Sequence, residues 1–554
     1  MSPPAEPANS PSTSFSSPSE PAPTMPGISL GLQRITRLLT LLHSPHLSTP
    51  IVHIAGTNGK GSVAAYLGSM LSSAEPPLRV GMFNSPHLLD EWDCIRLPPS
   101  LPTAKKPFPF DPVPVSECLF RTTKASIERL SSSSGVHGTS FEILTATAFL
   151  LFARADPPLD LAVVEVGLGG AEDATNVVPA DKTLLSVVAA VELDHQKILG
   201  DTVGEIATVK GGITREGGDV VLAQQAHPEA VEAVKRIVKQ RGATVWEAGV
   251  GTPVEEDGAS SPSSSAATLP SGLPPSPLVS LPLLPTSVTS PLSSPHPLSA
   301  SSSVSSLSAH LPLPGTYQLS NASTALLAAH LLRTLPRTLA LVPGIANERL
   351  TDEALRRGIE RTKWEGRLSW TSVPSPLPLP LSSSSSSPTS ARTSRTRTRS
   401  LLLDGAHNPS SALTLSSYLH SLPHTSPSRP RTLIFALSAP RTALSVLPPL
   451  LGAGVKRVVC TGFAEPAGME WVKAVEVGEL RRQVEEVVKD SGKKEVEVSE
   501  AETAEEALRL LDERDGAEGE PASTLVAGSL YLVADVLRVL RRIHGAVEAG
   551  DDAQ

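Results

Sequence analysis

Aromatic residues are scarce in this 554-residue chain, at 3%, and cysteine occurs only three times. Cys94, Cys118 and Cys460 lack the paired spacing of a metal site, and three scattered thiols do not make a disulfide framework. A reduced compartment is therefore expected, the cytoplasm first and the mitochondrion as the alternative. No apolar stretch reaches about 18 to 20 residues without a charge, so no membrane span is expected. Residues 1–26 carry no arginine and no apolar core, so neither a signal nor a transit peptide is expected. Positive charge is also in deficit. The net charge of −9 argues against a general nucleic-acid binder, and the one basic run, "ARTSRTRTR", sits inside an expected loop.

Proline is what the chain has in excess, with 53 residues. Together with serine it gathers in residues 1–26, 254–309 and 373–399. Such segments offer too little apolar surface to offset the entropy of ordering, so a disordered tail and two disordered insertions are expected. Deleting 256–305 is then expected to leave activity nearly intact. The remainder, roughly 440 residues, is enough for two sizeable cores.

Within that remainder, short apolar runs alternate with helical periodicity. "PIVHIAG", "LDLAVVEVG" and "KTLLSVVAAVELD" suit buried strands, with "ISLGLQRITRLLTLL", "SVAAYLGSMLSSA" and "TSFEILTATAFLLFARA" as helices. The C-terminal third repeats the style, with "SLLLDGAHN", "RTLIFALS", "KRVVCTGF" and "STLVAGS" as strands. "ALRLLDERD" and "LYLVADVLRVLRRI" are its helices. This alternation predicts α/β structure with largely parallel sheets, twice over, and no repeat of fixed period.

Between the first strand and the next helix stands "HIAGTNGKGS", residues 53–62. The usual phosphate loop, G-x-x-x-x-G-K-[ST], would place a glycine at Ile54 and a hydroxyl at Gly61, so the spelling fails. The chemistry does not. Gly56, Gly59 and Gly61 allow close backbone approach, Lys60 offers a point charge, and Ser62 or Thr57 offers an oxygen for a metal ion. A glycine-rich turn with a solvated lysine is the alternative.

Seven further motifs follow in order: "FNSPHL", "EVGLGGAEDATNV", "LDHQKILGDTVGEIATVKGGI", "GTYQLSNASTAL", "WEGR", "DGAHNP" and "GSLYLVADV". With "GTNGKGS" they resemble the folylpolyglutamate synthase/dihydrofolate synthase family of the Mur-ligase superfamily, in which the short loop spelling is usual. The resemblance runs from about residue 28 to 540. It implies a Mur-ligase-like P-loop ATPase domain over 27–366 and a smaller Rossmann-like α/β domain over 367–554, with the active site in the cleft between them.

The activity implied is ATP-dependent ligation of L-glutamate to 7,8-dihydropteroate through an acyl phosphate, with Mg²⁺ as cofactor, in a monomer without nucleic-acid or membrane partners. The resemblance places ATP on Gly56, Thr57, Asn58, Gly59, Lys60, Gly61, Ser62, Asn321, Arg367 and Asp404. It places metal on Ser62, Ser85, Glu165 and His195, and glutamate on His407 and Ser529. It gives catalytic roles to Lys60, Lys210 and His407, with Lys210 matching a lysine that takes up CO₂ as a carbamate. Each residue has a plainer reading. Ser85 precedes a proline as turn residues do, Glu165 could be a rim carboxylate paired with lysine, and His195 could merely end a strand. Lys210 could be a surface lysine, Arg367 a hinge, Gln318 an adenine contact or a helix cap, and Ser529 an N-cap.

The chain departs from the family where Ala171 and Glu172 replace the arginine and apolar residue of "GGRLDATNV". It departs again where "LIFALSAPRTALSVL" replaces a segment carrying Lys-Asp, leaving Arg441 to cover the positive charge. "GTNGKGS" with "ISLGLQRI" and "GMEWV" is similar to fungal dihydrofolate synthases rather than to the elongating enzymes, which typically read "GTKGKGS". A folylpolyglutamate synthase or bifunctional enzyme is the alternative. A catalytically silent nucleotide-binding scaffold is the third reading.

Overall fold

The computed structural model describes residues 30–99, 111–254, 276–290, 305–375, 397–422, 429–466, 469, 472–493, 495–518 and 523–551. The expected tail at 1–26 lies outside them, as do 255–275, 291–304 and 376–396 of the expected insertions.

Nine strands form the first sheet. They are β1 (Ile51–Ala55), β2 (Val80–Phe83), β3 (Ile95–Leu97), β4 (Val113–Pro114), β5 (Leu161–Glu165), β6 (Thr183–Val188), β7 (Asp219–Leu222), β8 (Thr244–Glu247) and β11 (Ser287–Thr289). Their order is β11-β8-β7-β6-β1-β5-β2-β3-β4. The six from β8 to β2 pair in parallel, with antiparallel strands added at both edges. Every residue of β1, β5 and β6 is buried, because helices cover both faces and leave no side for water. The second sheet holds β13 (Ser369–Ser375), β14 (Arg397–Leu403), β15 (Thr432–Phe435), β16 (Arg457–Cys460), β17 (Glu497–Glu500) and β18 (Thr524–Ala527). Its order is β13-β14-β18-β15-β16-β17, parallel except for the β13–β14 hairpin.

The expectation of disorder throughout 254–309 is corrected by three strands. β10 (Leu278–Pro282) pairs antiparallel with β9 (Thr252–Pro253) on one side and β12 (Ser306–His310) on the other, while β11 joins the edge of the first sheet. Likewise β13 and β14 reach into 373–399 from either end. Composition hid a period of two. Val279, Leu281 and Leu283, then Leu307, Ala309 and Leu311, alternate with serine, proline and histidine, and these six side chains enter the core beside the Tyr317–Leu332 helix.

The earlier expectation for a deletion therefore changes. Removing 256–305 takes Val279 and Leu281 out of the core and is expected to destabilise the protein by about 4 kcal/mol or more. Removing only 256–275 keeps these strands, and should leave turnover within severalfold because loop length carries a slow logarithmic cost. Thermal melts and turnover of the two deletions check this, and equal melting points would reject it.

Among fully buried residues the two large sheets have separate cores, with one exception; Tyr317 and Leu88 also pack against the second core while partly exposed. Leu89, from the turn after β2, is 1% exposed and belongs to the core of the second sheet together with Leu532, Val533 and Val536. Arg538 of the C-terminal helix (Leu530–Asp551) donates to the Leu89 carbonyl. The five-residue stretch from Ser85 to Leu89 thus leads from the first sheet into the second core.

Candidate active site

β1 ends at Ala55, and the chain turns through Gly56–Gly59 into the helix Lys60–Ser72. The amides of Thr57 and Asn58 both donate to the Ala190 carbonyl, at 2.8 and 3.1 Å. Gly59 has φ +87°, and a Cβ there would lie 2.4 Å from Asn321 Oδ1. Only glycine suits that position. The amides of Lys60, Gly61 and Ser62 open the helix without intrahelical acceptors, so their N–H dipoles and the Lys60 ammonium suit an anion.

Thr57 is turned away from that anion site. Its hydroxyl donates to the Glu192 carbonyl and accepts from the Glu192 amide, both at 3.1 Å, so it fixes the loop and is not free for a metal ion. Ser62 keeps that option. Its hydroxyl is buried and accepts from Gln318 Nε2 at 3.3 Å, while Asn321 Nδ2 donates to Gln318 Oε1 at 3.0 Å. Gln318 therefore ties its helix to the phosphate loop and does not cap it.

Glu165, at the end of β5, is buried, with 4% of its surface exposed. Asn84 Nδ2 donates to its Oε2 at 2.9 Å, and Lys60 Nζ stands 3.8 Å from Oε1. Burial pushes its carboxyl above the usual range, with Lys60 and Asn84 pulling the other way. A lysine at that distance leaves much of the buried charge uncompensated, which a cation would relieve.

Ser62, Ser85, Glu165 and His195 line one cavity. Among the described residues no three His, Cys, Asp or Glu side chains stand together as a metal site. His195, whose side chain is half exposed, has Asp194 Oδ2 3.6 Å from Nε2. One carboxylate, two hydroxyls and an imidazole do not make an all-protein cage. They fit Mg²⁺, which keeps several waters and shares phosphate oxygens.

Lys210 is not a surface lysine. It is 5% exposed, and its Nζ donates to the Gly56 carbonyl at 3.0 Å, beneath the phosphate loop. Burial, aided by the Lys60 charge, lowers its amine to about 7. Gly170 makes this burial possible, since a Cβ there would lie 2.6 Å from the Val209 carbonyl. Ala171 continues the contact, its amide donating to that carbonyl at 3.0 Å.

Across the cleft, the "WEGR" and "DGAHNP" loops are zipped together. Asp404 accepts from the Leu368 and Ala406 amides, both at 2.8 Å, and the Gly405 amide donates to the Gly366 carbonyl at 3.0 Å. Asp404 thus holds the connection between the sheets. Burial raises its carboxyl and the Arg367 charge lowers it. His407 lies 2.7 Å from the Gly405 carbonyl through Nδ1, which must therefore carry the proton, leaving the Nε2 lone pair unprotonated. Burial, with Arg441 nearby, lowers this imidazole to about 4, so it is neutral at pH 7. Ser529 does cap its helix, accepting from the Tyr531 amide at 3.2 Å, and it also lines the cavity.

The cavity is about 1410 Å³, larger than the ~300–1000 Å³ of a single small-ligand site. Its lining includes the phosphate loop, His407 and Ser529, together with Leu30, Phe141 and Leu168. Arg96 lies over the Trp364 ring in the same wall, 5.8 Å from its centroid. The sequence reading missed Asn84, Arg96 and Trp364 as wall residues. Asn84 was within reach, because it directly precedes the serine of "FNSPHL".

A family model described as the C-terminal domain of dihydrofolate synthetase matches residues 388–539. A probable dihydrofolate synthetase of Schizosaccharomyces pombe is 28% identical over 516 residues, covering 93% of this chain and 99% of the relative. The solved folylpolyglutamate synthase of Mycobacterium tuberculosis, complexed with ADP and AMPPCP, superposes with TM-score 0.64 at 25% identity, covering 92% of this chain and 95% of that one. A bifunctional folylpolyglutamate synthase/dihydrofolate synthase with Mn, AMPPNP and L-glutamate bound shares the fold, with TM-score 0.60 at 22% identity, covering 93% and 95%.

Proposed function

The chain belongs to the folylpolyglutamate synthase/dihydrofolate synthase family, and from that premise we propose that it joins L-glutamate to 7,8-dihydropteroate, converting ATP to ADP and phosphate. The observation that carries this reading is the pairing, in one cavity, of a cationic helix N-terminus with a neutral histidine across the cleft. The first suits phosphate and the second suits an amine.

A carboxylate is a poor acyl electrophile, so the benzoate carboxylate of dihydropteroate must first take the γ-phosphoryl group. Phosphoryl transfer of this kind needs positioning and charge stabilisation more than covalent help. The Gly59–Ser62 amides and Lys60 hold the phosphates, and Arg367 offers a planar fork toward them. Asn321 supports the loop from behind Gly59. Glu165, Ser62, Ser85 and His195 would hold a divalent cation, which when bound neutralises charge building on the transferred group.

The α-amine of glutamate then attacks the acyl carbon, the amide C–N bond forms as the C–O bond to phosphate breaks, and the departing phosphate takes the proton that the amine loses. His407 Nε2, lacking a proton, accepts a hydrogen bond from that amine and orients its lone pair. We divide the chain at 366/367, after which every strand belongs to the second sheet. We place the enzyme in the cytoplasm as a monomer. Among the described residues no helix is long and apolar enough to cross a membrane.

The test is a two-acceptor assay on the purified full chain with ATP, Mg²⁺ and labelled glutamate. Incorporation is expected with dihydropteroate, and much less with tetrahydrofolate monoglutamate. Equal or reversed rates would move the assignment to chain elongation or to a bifunctional enzyme. Phosphate release without any pterin would instead indicate an uncoupled ATPase.

A further inference from the structure

Gly59 must be glycine because its backbone is left-handed, but Gly61 is not explained that way. It is the second residue of the Lys60–Ser72 helix, and its φ is not positive. A helical glycine is less favourable than alanine, so its presence calls for another reason. A Cβ at Gly61 would lie 2.7 Å from Cζ2 of Trp364 and 3.1 Å from Cε2 and Nε1, and these three indole atoms are its nearest neighbours. The indole thus rests on the backbone of the phosphate helix between Lys60 and Ser62, with the Arg96 guanidinium over its ring. The chain that leads to Trp364 is fastened to the same helix farther along. In the Asp352–Glu360 helix, a Cβ at Gly358 would lie 2.4 Å from Met70 Cα, and the Ser69 hydroxyl donates to the Gly358 carbonyl at 2.7 Å.

Trp364 packs against the core of the first sheet, and Leu368, four residues on, is buried in that of the second. Between them the Gly366 carbonyl accepts from the Gly405 amide at 3.0 Å, and the Arg367 charge acts on Glu165 and on Asp404. Arg367 is therefore carried on a span held at one end by the phosphate helix and at the other by the second sheet. Four residues reach at most about 14 Å, so the span has little slack. Lifting the indole off Gly61 would move Arg367 relative to the amides of Lys60, Gly61 and Ser62, and phosphoryl transfer tolerates little error of that kind. Resting on the ligase reading above, we propose that Trp364 is a positioning residue for phosphoryl transfer, its indole setting the spacing between the phosphate helix and the linker and hence the place of Arg367 beside the transferred group. Trp364 acts only through Arg367 and touches no reacting atom.

Turnover and ATP affinity of the full chain test this, in wild type, Trp364→Phe, Trp364→Ala, Arg367→Ala and the Trp364→Ala/Arg367→Ala double variant. The acceptor is whichever pteroate or folate the wild type uses. Trp364→Ala is expected to lower kcat on the order of 100-fold, the effect of misplacing a charged group by about 1 Å, with ATP affinity within about threefold because the loop amides and Lys60 are untouched. Trp364→Phe keeps a ring over the helix and should recover most of the loss. In the Arg367→Ala background the same tryptophan substitution should lower kcat by less than about threefold, since no guanidinium is left to misplace. A steric pair needs no cavity at position 364. Gly61→Ala displaces the indole and should lower kcat more in wild type than in Trp364→Phe, which lacks Cζ2 and Nε1. An unchanged kcat in Trp364→Ala, or an equal loss with and without Arg367, overturns the proposal while the ligase reading stands. Should melting curves show Trp364→Ala unfolded, equal effects of Gly61→Ala in its two backgrounds overturn it. A wild type that ligates glutamate to no acceptor overturns the ligase reading as well.

Discussion

Lys210→Ala should lower turnover by at least about 100-fold while ATP affinity stays within severalfold. The ammonium reaches no phosphate-loop amide; it donates to the Gly56 carbonyl from below. Only a free amine reacts with CO₂. At pH 7 an amine shifted to about 7 is half neutral, whereas an ordinary lysine is neutral in roughly one molecule in three thousand. A carbamate would reverse the local electrostatics, because the Lys60 charge that disfavours the ammonium would attract the new carboxylate. Lys210→Arg should fail as completely as alanine, since a guanidinium keeps its positive charge. A lysine acting through charge alone would be partly replaced by arginine. Acetate added to the alanine variant should restore some turnover. Wild-type turnover should rise as pH passes upward through about 7 and as bicarbonate is added. The stability linkage has the same sign. Between about 7 and 10.5 the unfolded chain holds a proton at Lys210 that the folded chain lacks, so stability increases with pH across that window and falls on acidification. Arginine working nearly as well as lysine would refute the carbamate.

The second large effect is expected at the phosphate loop. Gly59→Ala forces an alanine to φ +87° and a methyl group to 2.4 Å from Asn321 Oδ1. The backbone strain alone costs ~1–3 kcal/mol, a melting-point drop of roughly 2–10 °C for a domain of this size. ATP affinity should fall at least about tenfold, because the strained residue immediately precedes the amides proposed to hold phosphate. Asn321→Ala removes the steric part and leaves the strain. In that background the glycine substitution should therefore cost less, and a double-mutant cycle on nucleotide-free protein reads the difference. Equal costs in both backgrounds would show that the loop moves away from the Tyr317–Leu332 helix instead of pressing on it.

What the sequence disclosed was set by how local each signal is. β1, β5 and β6 are apolar at nearly every position and were readable as buried strands. β2 and β7, four residues each, are not among the strands expected from the sequence. The Tyr317–Leu332 helix is buried on nearly every side, so it has no polar stripe to mark it as a helix. β10 and β12 alternate cleanly, yet serine and proline around them suggested disorder. At the site, the loop chemistry of Gly56–Ser62 could be read from a few consecutive residues. The burial of Lys210 could not, because it depends on Gly170, forty positions earlier, admitting the Val209 carbonyl. The engagement of Thr57 depends on Glu192, a partner 135 positions away, which loop spelling does not encode.

Leu89 gives the molecule two different seams. On the division proposed at 366/367 the Ser85–Leu89 stretch belongs to the first half, but in packing it ends in the core of the second sheet. A chimera joined at 366 would pair the leucine of one parent with the pocket of another, so a graft that respects the protein's anatomy must transplant the 85–89 stretch together with the C-terminal half. The same stretch begins with Ser85, on the wall of the catalytic cavity. Any relative rotation of the halves therefore pulls on that wall as on a short tether, and a surgeon of this fold would find no cut that frees one half and leaves the other's active site untouched.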